Sequence, residues 1–231
     1  MRIALIHSPF VGATTWTPVA AALRGLGHGI AQPVCGPWDG EPYYQRLARG
    51  IASQLGAEDD TPLILVGHSG AGALLPSVAE AVGGHVYGAI FVDAILPHPA
   101  RGWFETAPPA LAAHLLSRAA NGFLPRWDRW FPQDVLVRLL PDAVQRAAFV
   151  AELPAAPVAY ADEAAPTCPS WPPARCGYLQ LSDGYAGEAQ AASAAGWLLR
   201  RDIIHHLASL THADRVAASL HAMIAALTDS P

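Results

Sequence analysis

Leu63-Ile64-Leu65-Val66-Gly67-His68-Ser69-Gly70-Ala71-Gly72 is the stretch on which the architecture turns. Four aliphatic residues in succession predict a strand buried on both faces, the habit of a central parallel strand. The run breaks at Gly67, and a small-residue segment from Gly70 to about Val82 predicts a helix that opens at once. The serine at the junction has a small residue two before it (Gly67) and two after it (Ala71). Strand, small–x–Ser–x–small and helix together read as a nucleophile elbow, a sharp strained turn that tolerates only small neighbours. The helix start aims backbone N–H groups and positive dipole at the serine oxygen.

The flanks repeat the same rhythm. Apolar runs predict strands over Ile3–Ile6, Ile30–Val34, Val86–Val92 (ending at Asp93), Cys176–Leu181 and Trp197–Ile203. Helical spacing predicts helices over Thr17–Leu26, Pro42–Leu55, Glu188–Ala195 and Ala213–Leu227, with Thr17 as N-cap, Pro18 at the first helical position and Gly27 as the stop. The fold class is therefore α/β, a mostly parallel central sheet flanked by helices. Between Pro97 and Pro173 lie 13 of the 21 prolines and 4 of the 7 tryptophans. Short helix candidates there (Pro109–Ala120, Gln133–Leu140, Ala143–Leu153) are separated by proline breaks. We expect one domain over residues 1–231, its core formed by 1–96 and 174–231 and interrupted by a helical cap over 97–173.

Composition excludes several function classes. With 52% hydrophobic and 14% charged residues and a net charge of −5, the 231-residue chain suits a sizeable core and argues against disorder. Scattered arginines on an acidic chain leave no nucleic-acid partner. No span reaches the roughly 18 apolar residues of a membrane helix. The opening MRIALIHSPF lacks a signal-peptide core, so the cytoplasm is the expected compartment. The basic residues include no lysine, which removes every lysine nucleophile, base or Schiff-base former. Cys35, Cys168 and Cys176 are odd in number and stand at no metal-ligand spacing. A Cys168–Cys176 bridge stays open from sequence, though a cytosolic chain favours free thiols. Neither a metal nor an organic cofactor is implied, and the expected partner is a small-molecule substrate.

With these residues in place the sequence resembles the α/β-hydrolase family over nearly its whole length, and most of all the compact branch of methylesterases and hydroxynitrile lyases. The resemblance rests on His7-Ser8-Pro9 after the first strand, Trp16 with Pro18-Val19-Ala20, the Gly67–Ala71 elbow, Ile90-Phe91-Val92-Asp93, and a histidine ahead of the last helix. It implies a serine, acid, histidine triad in that chain order, with Ser69 as nucleophile. In the run from Ile203 to Ala213 it places His206 at the base position, with His205 and His212 as competitors. The acid is Asp93 or, as the alternative, Asp183; both end apolar strands at the carboxyl edge of the sheet. Asp93 is the more deeply framed by apolar residues, whereas Asp183 precedes Gly184 and also suits a turn. His28, His85, His98, His114 and His221 read as ordinary histidines, and His7 as a support for its loop.

One departure bears on rate. The resemblance draws the oxyanion hole from the N–H of Gly70 and from the residue two after His7, which is Pro9 and has no N–H. Either Phe10 donates instead, or the Ser8 hydroxyl does, or that donor is missing. The expected substrate pocket combines Ser8, Pro9 and His68 with the cap aromatics Trp103, Trp127 and Trp130, suiting a bulky apolar molecule. Hydrolysis of an ester, thioester or lactone is the leading expectation. A lyase, cyclase or isomerase of natural-product metabolism, and a ligand-binding protein with a relic triad, are the alternatives.

Overall fold

The computed structural model describes residues 1–56, 61–83 and 86–229; of the histidines discussed above, His85 lies outside them. The chain runs β1 (Arg2–Ile6), α1 (Thr17–Gly25), β2 (Gly29–Ala31), α2 (Tyr43–Leu55), β3 (Leu63–His68), α3 (Leu75–Val82) and β4 (Val86–Val92). Five short helices follow: α4 (Trp103–Thr106), α5 (Pro109–Ser117), α6 (Gln133–Leu139), α7 (Ala143–Ala151) and α8 (Val158–Asp162). The α/β rhythm resumes with β5 (Arg175–Gln180), α9 (Ala186–Ala194), β6 (Leu198–Arg201), α10 (Ala208–Thr211) and α11 (Ala213–Asp229).

Among the described residues the strands of the sheet pair in parallel throughout, in the order β2-β1-β3-β4-β5-β6. Successive residues of a strand face opposite sides, so each strand feeds two cores. Ile3, Leu5, Ile64, Val66, Ile90 and Val92 pack with Val19 and Leu23 of α1 and Val216 and Leu220 of α11. Ala4, Ile6, Leu65, Ala89, Phe91 and Tyr178 pack with α2, α3 and the β4–β5 insertion. This two-sided burial is why the central strands read as unbroken apolar runs.

The insertion shares that second core. Phe10, from the loop after β1, packs against Trp103, Trp130 and Tyr160 at ring-centroid distances of 5.2, 4.9 and 5.8 Å. Polar links join the same parts. Glu163 accepts the first N–H groups of α2, from Tyr43 and Tyr44 (2.6 and 2.9 Å). Glu152 accepts the Thr14 N–H and hydroxyl (3.1 and 2.7 Å).

Several local expectations change. Thr17 is the first residue of α1 rather than its cap, because a 3₁₀ turn over Ala13–Trp16 leads straight into the helix. The second strand stops at Ala31, short of Val34, with Pro33 next but one in the chain. The segment after Ser69 is 3₁₀ as far as Leu74 before α3 begins, since Gly70 and Gly72 are poor α-formers. All three cysteines are free thiols.

Candidate active site

The order β2-β1-β3-β4 reverses direction between β1 and β3, the place where open α/β sheets bind ligands beyond their carboxyl ends. The register sets Ile6 beside Gly67 and His68 beside Val92, so the His7–Phe10 loop, Ser69 and Asp93 emerge together on that edge.

Ser69 has φ +57°, the left-handed backbone expected of an elbow. The turn needs its small neighbours in a concrete way. A Cβ on Gly67 would lie 3.0 Å from a Leu75 methyl, and one on Gly70 2.8 Å from Ser8 Oγ. At Gly72 it would lie 2.0 Å from the Ile95 carbonyl oxygen, a backbone atom that cannot step aside. The Ile95 N–H in turn donates to the Ser69 carbonyl (3.1 Å), locking the elbow to the loop after β4.

Asp93 stands at φ +44° and is wholly buried. Tyr178 braces the turn, its hydroxyl donating to the Ala94 carbonyl (2.8 Å) and accepting the Ala94 N–H (3.1 Å). One carboxylate oxygen accepts the N–H groups of Leu181 and Ser182, each at 2.9 Å; the other accepts the Ser182 hydroxyl (2.6 Å) and His206 Nδ1–H (2.8 Å). Burial by itself would raise the carboxyl pKa, but the His206 hydrogen bond and charge, with the Ser182 and Leu181 donors, outweigh it and hold the group below its usual range.

His206 Nε2 lies 3.0 Å from Ser69 Oγ. With Nδ1–H given to Asp93, Nε2 is left as the acceptor for the serine proton. The competing histidines are turned elsewhere: His205 and His212 both bond the Thr211 hydroxyl at 2.9 Å. Asp183, the alternative acid, lies exposed in a 3₁₀ turn over Asp183–Tyr185.

His68 does not face the site as a pocket residue. It is fully buried, donates Nε2–H to the His206 carbonyl (3.0 Å) and lies against Trp16. Burial and the neighbouring His206 lower its pKa to about 3, so it stays neutral and holds the His206 loop. His7 ties its loop to the next one, accepting the Cys35 N–H on Nε2 (2.9 Å) and donating Nδ1–H to the Ser8 carbonyl (2.8 Å). The Phe10 N–H, the expected oxyanion donor, points to Ser8 Oγ at 3.3 Å.

A cavity of about 540 Å³ opens over Ser69, Gly70 and His206. Trp103, Trp127, Trp130 and Phe10 line it, with Arg101 and Glu188 among its polar groups. Ser8, Pro9 and His68 are not on its surface, because Phe10 and Gly70 cover Ser8 and the sheet edge encloses His68. Among the lining residues that the sequence did not point to, Tyr185 stands nearest the chemistry. Tyr185 lays its ring parallel on His206 (5.0 Å, 7° between planes) and brings its hydroxyl to 3.4 Å from Ser69 Oγ. A tyrosine in a turn has no spacing that announces such a place.

A parallel sheet flanked by helices, with serine, histidine and aspartate meeting at its carboxyl edge, is the α/β-hydrolase fold. Solved structures agree with it. An extracellular α/β-hydrolase from a Paenibacillus species, described as homologous in structure and function to tobacco salicylic acid binding protein 2, superposes with a TM-score of 0.79 at 18% identity, over 96% of this chain and 98% of that one. A pyrethroid hydrolase (TM-score 0.73, 16% identity, 100% and 99% of the two chains) and tomato methylketone synthase I (0.71, 14%, 98% and 98%) share the same fold. Among curated proteins, a carbendazim hydrolyzing esterase of Nocardioides sp. (strain SG-4G) is 26% identical over 126 residues. That match takes in 52% of each chain, so the protein spans about half the length of the curated relative it matches. No family model matches the sequence.

Proposed function

We propose that the protein is a serine-dependent hydrolase of carboxylic esters, thioesters or lactones. The observation that carries this reading is the unbroken line from Asp93 Oδ2 to His206 Nδ1 (2.8 Å) and from His206 Nε2 to Ser69 Oγ (3.0 Å), at the mouth of an apolar cavity. Ser69 Oγ attacks the carbonyl carbon as its proton passes to His206 Nε2. Asp93 keeps the imidazole in the accepting tautomer and stabilises the imidazolium that results. The N–H of Gly70, the residue after the nucleophile, is the donor assigned to the developing oxyanion. The leaving group then departs with the proton from Nε2, and water repeats the sequence on the acyl-enzyme.

The aromatic lining of the cavity suits a fairly bulky apolar substrate, and its volume suits a small molecule. The esterase relative and the pyrethroid hydrolase neighbour support this choice of reaction class. A fluorophosphonate probe with intact-mass detection tests it. Stoichiometric labelling that disappears in Ser69→Ala is expected, together with a burst of product from activated aryl esters. Intact labelling of Ser69→Ala, or ester turnover that survives it, overturns the mechanism. One observation favours a second reading: with Pro9 lacking an N–H and that of Phe10 turned to Ser8, the oxyanion site is poorly furnished. A lyase or cyclase using Ser69 and His206 as proton carriers would give labelling but no acyl-enzyme burst.

A further inference from the structure

Tyr185 is a side chain that the serine mechanism leaves without a task. Its ring lies flat on His206, its hydroxyl sits 3.4 Å from the nucleophilic oxygen, and it lines the cavity. The direction of this contact follows from the neighbouring bond. Ser69 gives its only proton to His206 Nε2 (3.0 Å), so Tyr185 donates and Ser69 Oγ accepts. Burial, with the nearby Asp93 and Glu188 carboxylates, holds the phenol above its ordinary pKa, so it remains a donor at working pH. Tyr185 also approaches Ser69 from the His206 side. Gly70 and Phe10 line the other flank of the cavity. His206 is the group that hands a proton to the leaving group, so the phenol stands where that group departs.

We propose that Tyr185 is a catalytic hydrogen-bond donor to the leaving-group atom, extending the hydrolase reading on which it rests. Before attack the phenol bonds Ser69 Oγ. As the Oγ–C bond forms from the Ser69 lone pair that Tyr185 does not hold, the carbonyl π pair moves onto its oxygen and the serine proton moves to His206 Nε2. The oxyanion's pair then re-forms the carbonyl as the C–O bond to the leaving group breaks, the bond's electron pair stays on the leaving oxygen, and that oxygen takes the proton from Nε2. Tyr185 keeps its own proton throughout and swings its hydrogen bond from Ser69 Oγ to the departing oxygen. A donor there lowers the barrier most for a poor leaving group, on which negative charge is most costly, and least for a stabilised phenolate.

The test is Tyr185→Phe, which keeps the stacked ring and removes only the hydroxyl. Acetates of 4-nitrophenol, phenol and simple alkanols give kcat/KM across leaving groups. Labelling rates of Ser69 with 4-nitrophenyl and phenyl alkylphosphonates make the same comparison without a turnover substrate. Expected are losses of about 10- to 100-fold on alkyl esters and under about 3-fold on 4-nitrophenyl esters, a steeper leaving-group dependence than in the unsubstituted enzyme. A merely structural role would move every substrate alike. A uniform loss, or no loss, across both series therefore overturns the assignment. Failure of Ser69 to react with any phosphonate in the unsubstituted enzyme overturns the hydrolase reading itself, and the assignment with it.

Discussion

Replacing Asp93 with asparagine changes one atom in a site where every lone pair is spoken for. One oxygen accepts two backbone N–H groups and the other accepts Ser182 Oγ–H and His206 Nδ1–H. The amide carbonyl of Asp93→Asn can keep the backbone pair, since the reverse flip would leave two buried N–H groups facing an NH₂. That choice points the NH₂ at His206 Nδ1. The imidazole must then switch tautomer, presenting a lone pair at Nδ1 and a proton at Nε2, and it no longer accepts from Ser69. A wrong-tautomer base costs on the order of 10⁴ in kcat, which corresponds to about 5.5 kcal/mol of barrier. The fold should survive, because asparagine tolerates the left-handed backbone at φ +44° better than most residues and retains both backbone hydrogen bonds. The assay is burst and steady-state turnover of a 4-nitrophenyl ester, with circular dichroism and melting as the check on folding. Asp183→Asn, altering an exposed side chain, should stay within about 2-fold of the parent. A folded Asp93→Asn enzyme within about tenfold of the parent rate would refute the reasoning, the more so if Asp183→Asn lost activity instead.

Gly72→Ala drives a methyl to 2.0 Å from the Ile95 carbonyl and should cost about 2–4 kcal/mol or prevent folding; a melting temperature within about 3 °C of the parent contradicts this close approach. His7, His68 and His98 are held below the usual imidazole pKa, each chiefly by burial. The unfolded chain thus binds more protons below about pH 6.5, and stability present above that value declines as pH falls. Urea titrations between about pH 7 and 5 should give a slope exceeding one proton, and a flat profile would count against neutral burial. Asp93, held low, adds a second loss as pH drops below the unfolded carboxylate value of about 3.9, a loss absent in Asp93→Asn. Glu152→Ala removes both bonds to Thr14 and should lower melting by about 1–4 °C, read by calorimetry; an unchanged transition means the link is idle.

The elbow was legible because its physics is local: a strand buried on both faces, a serine and two small neighbours leave few alternatives. His206 was legible only through the resemblance, since nothing in the spacing of His205, His206 and His212 says which of them faces the sheet edge. Which of Asp93 and Asp183 meets the His206 ring was not a local question at all. Both end apolar strands, and what separates them is the bend at Asp93, braced by Tyr178 from the neighbouring strand, and the donors that Leu181 and Ser182 turn toward it. Gly72 looked like one more small helix residue because the atom it must avoid, the Ile95 carbonyl, arrives from another strand's loop. Helices α4 and α8, of four and five residues, are too short to leave a periodic signature.

The seating of Phe10 among Trp103, Trp130 and Tyr160 reaches beyond the cavity that it helps to line. Since the body's own loop supplies the centre of the insertion's aromatic cluster, separating the two parts would expose that buried apolar cluster to water. Heating should then yield one cooperative transition, with no early melting of the proline-rich stretch. For protein engineers the same seating defines the unit of exchange. A foreign substitute for residues 97–173 would have to bring its own partner for position 10, so chimaeras cut at the strand ends alone are expected to aggregate rather than acquire a new specificity.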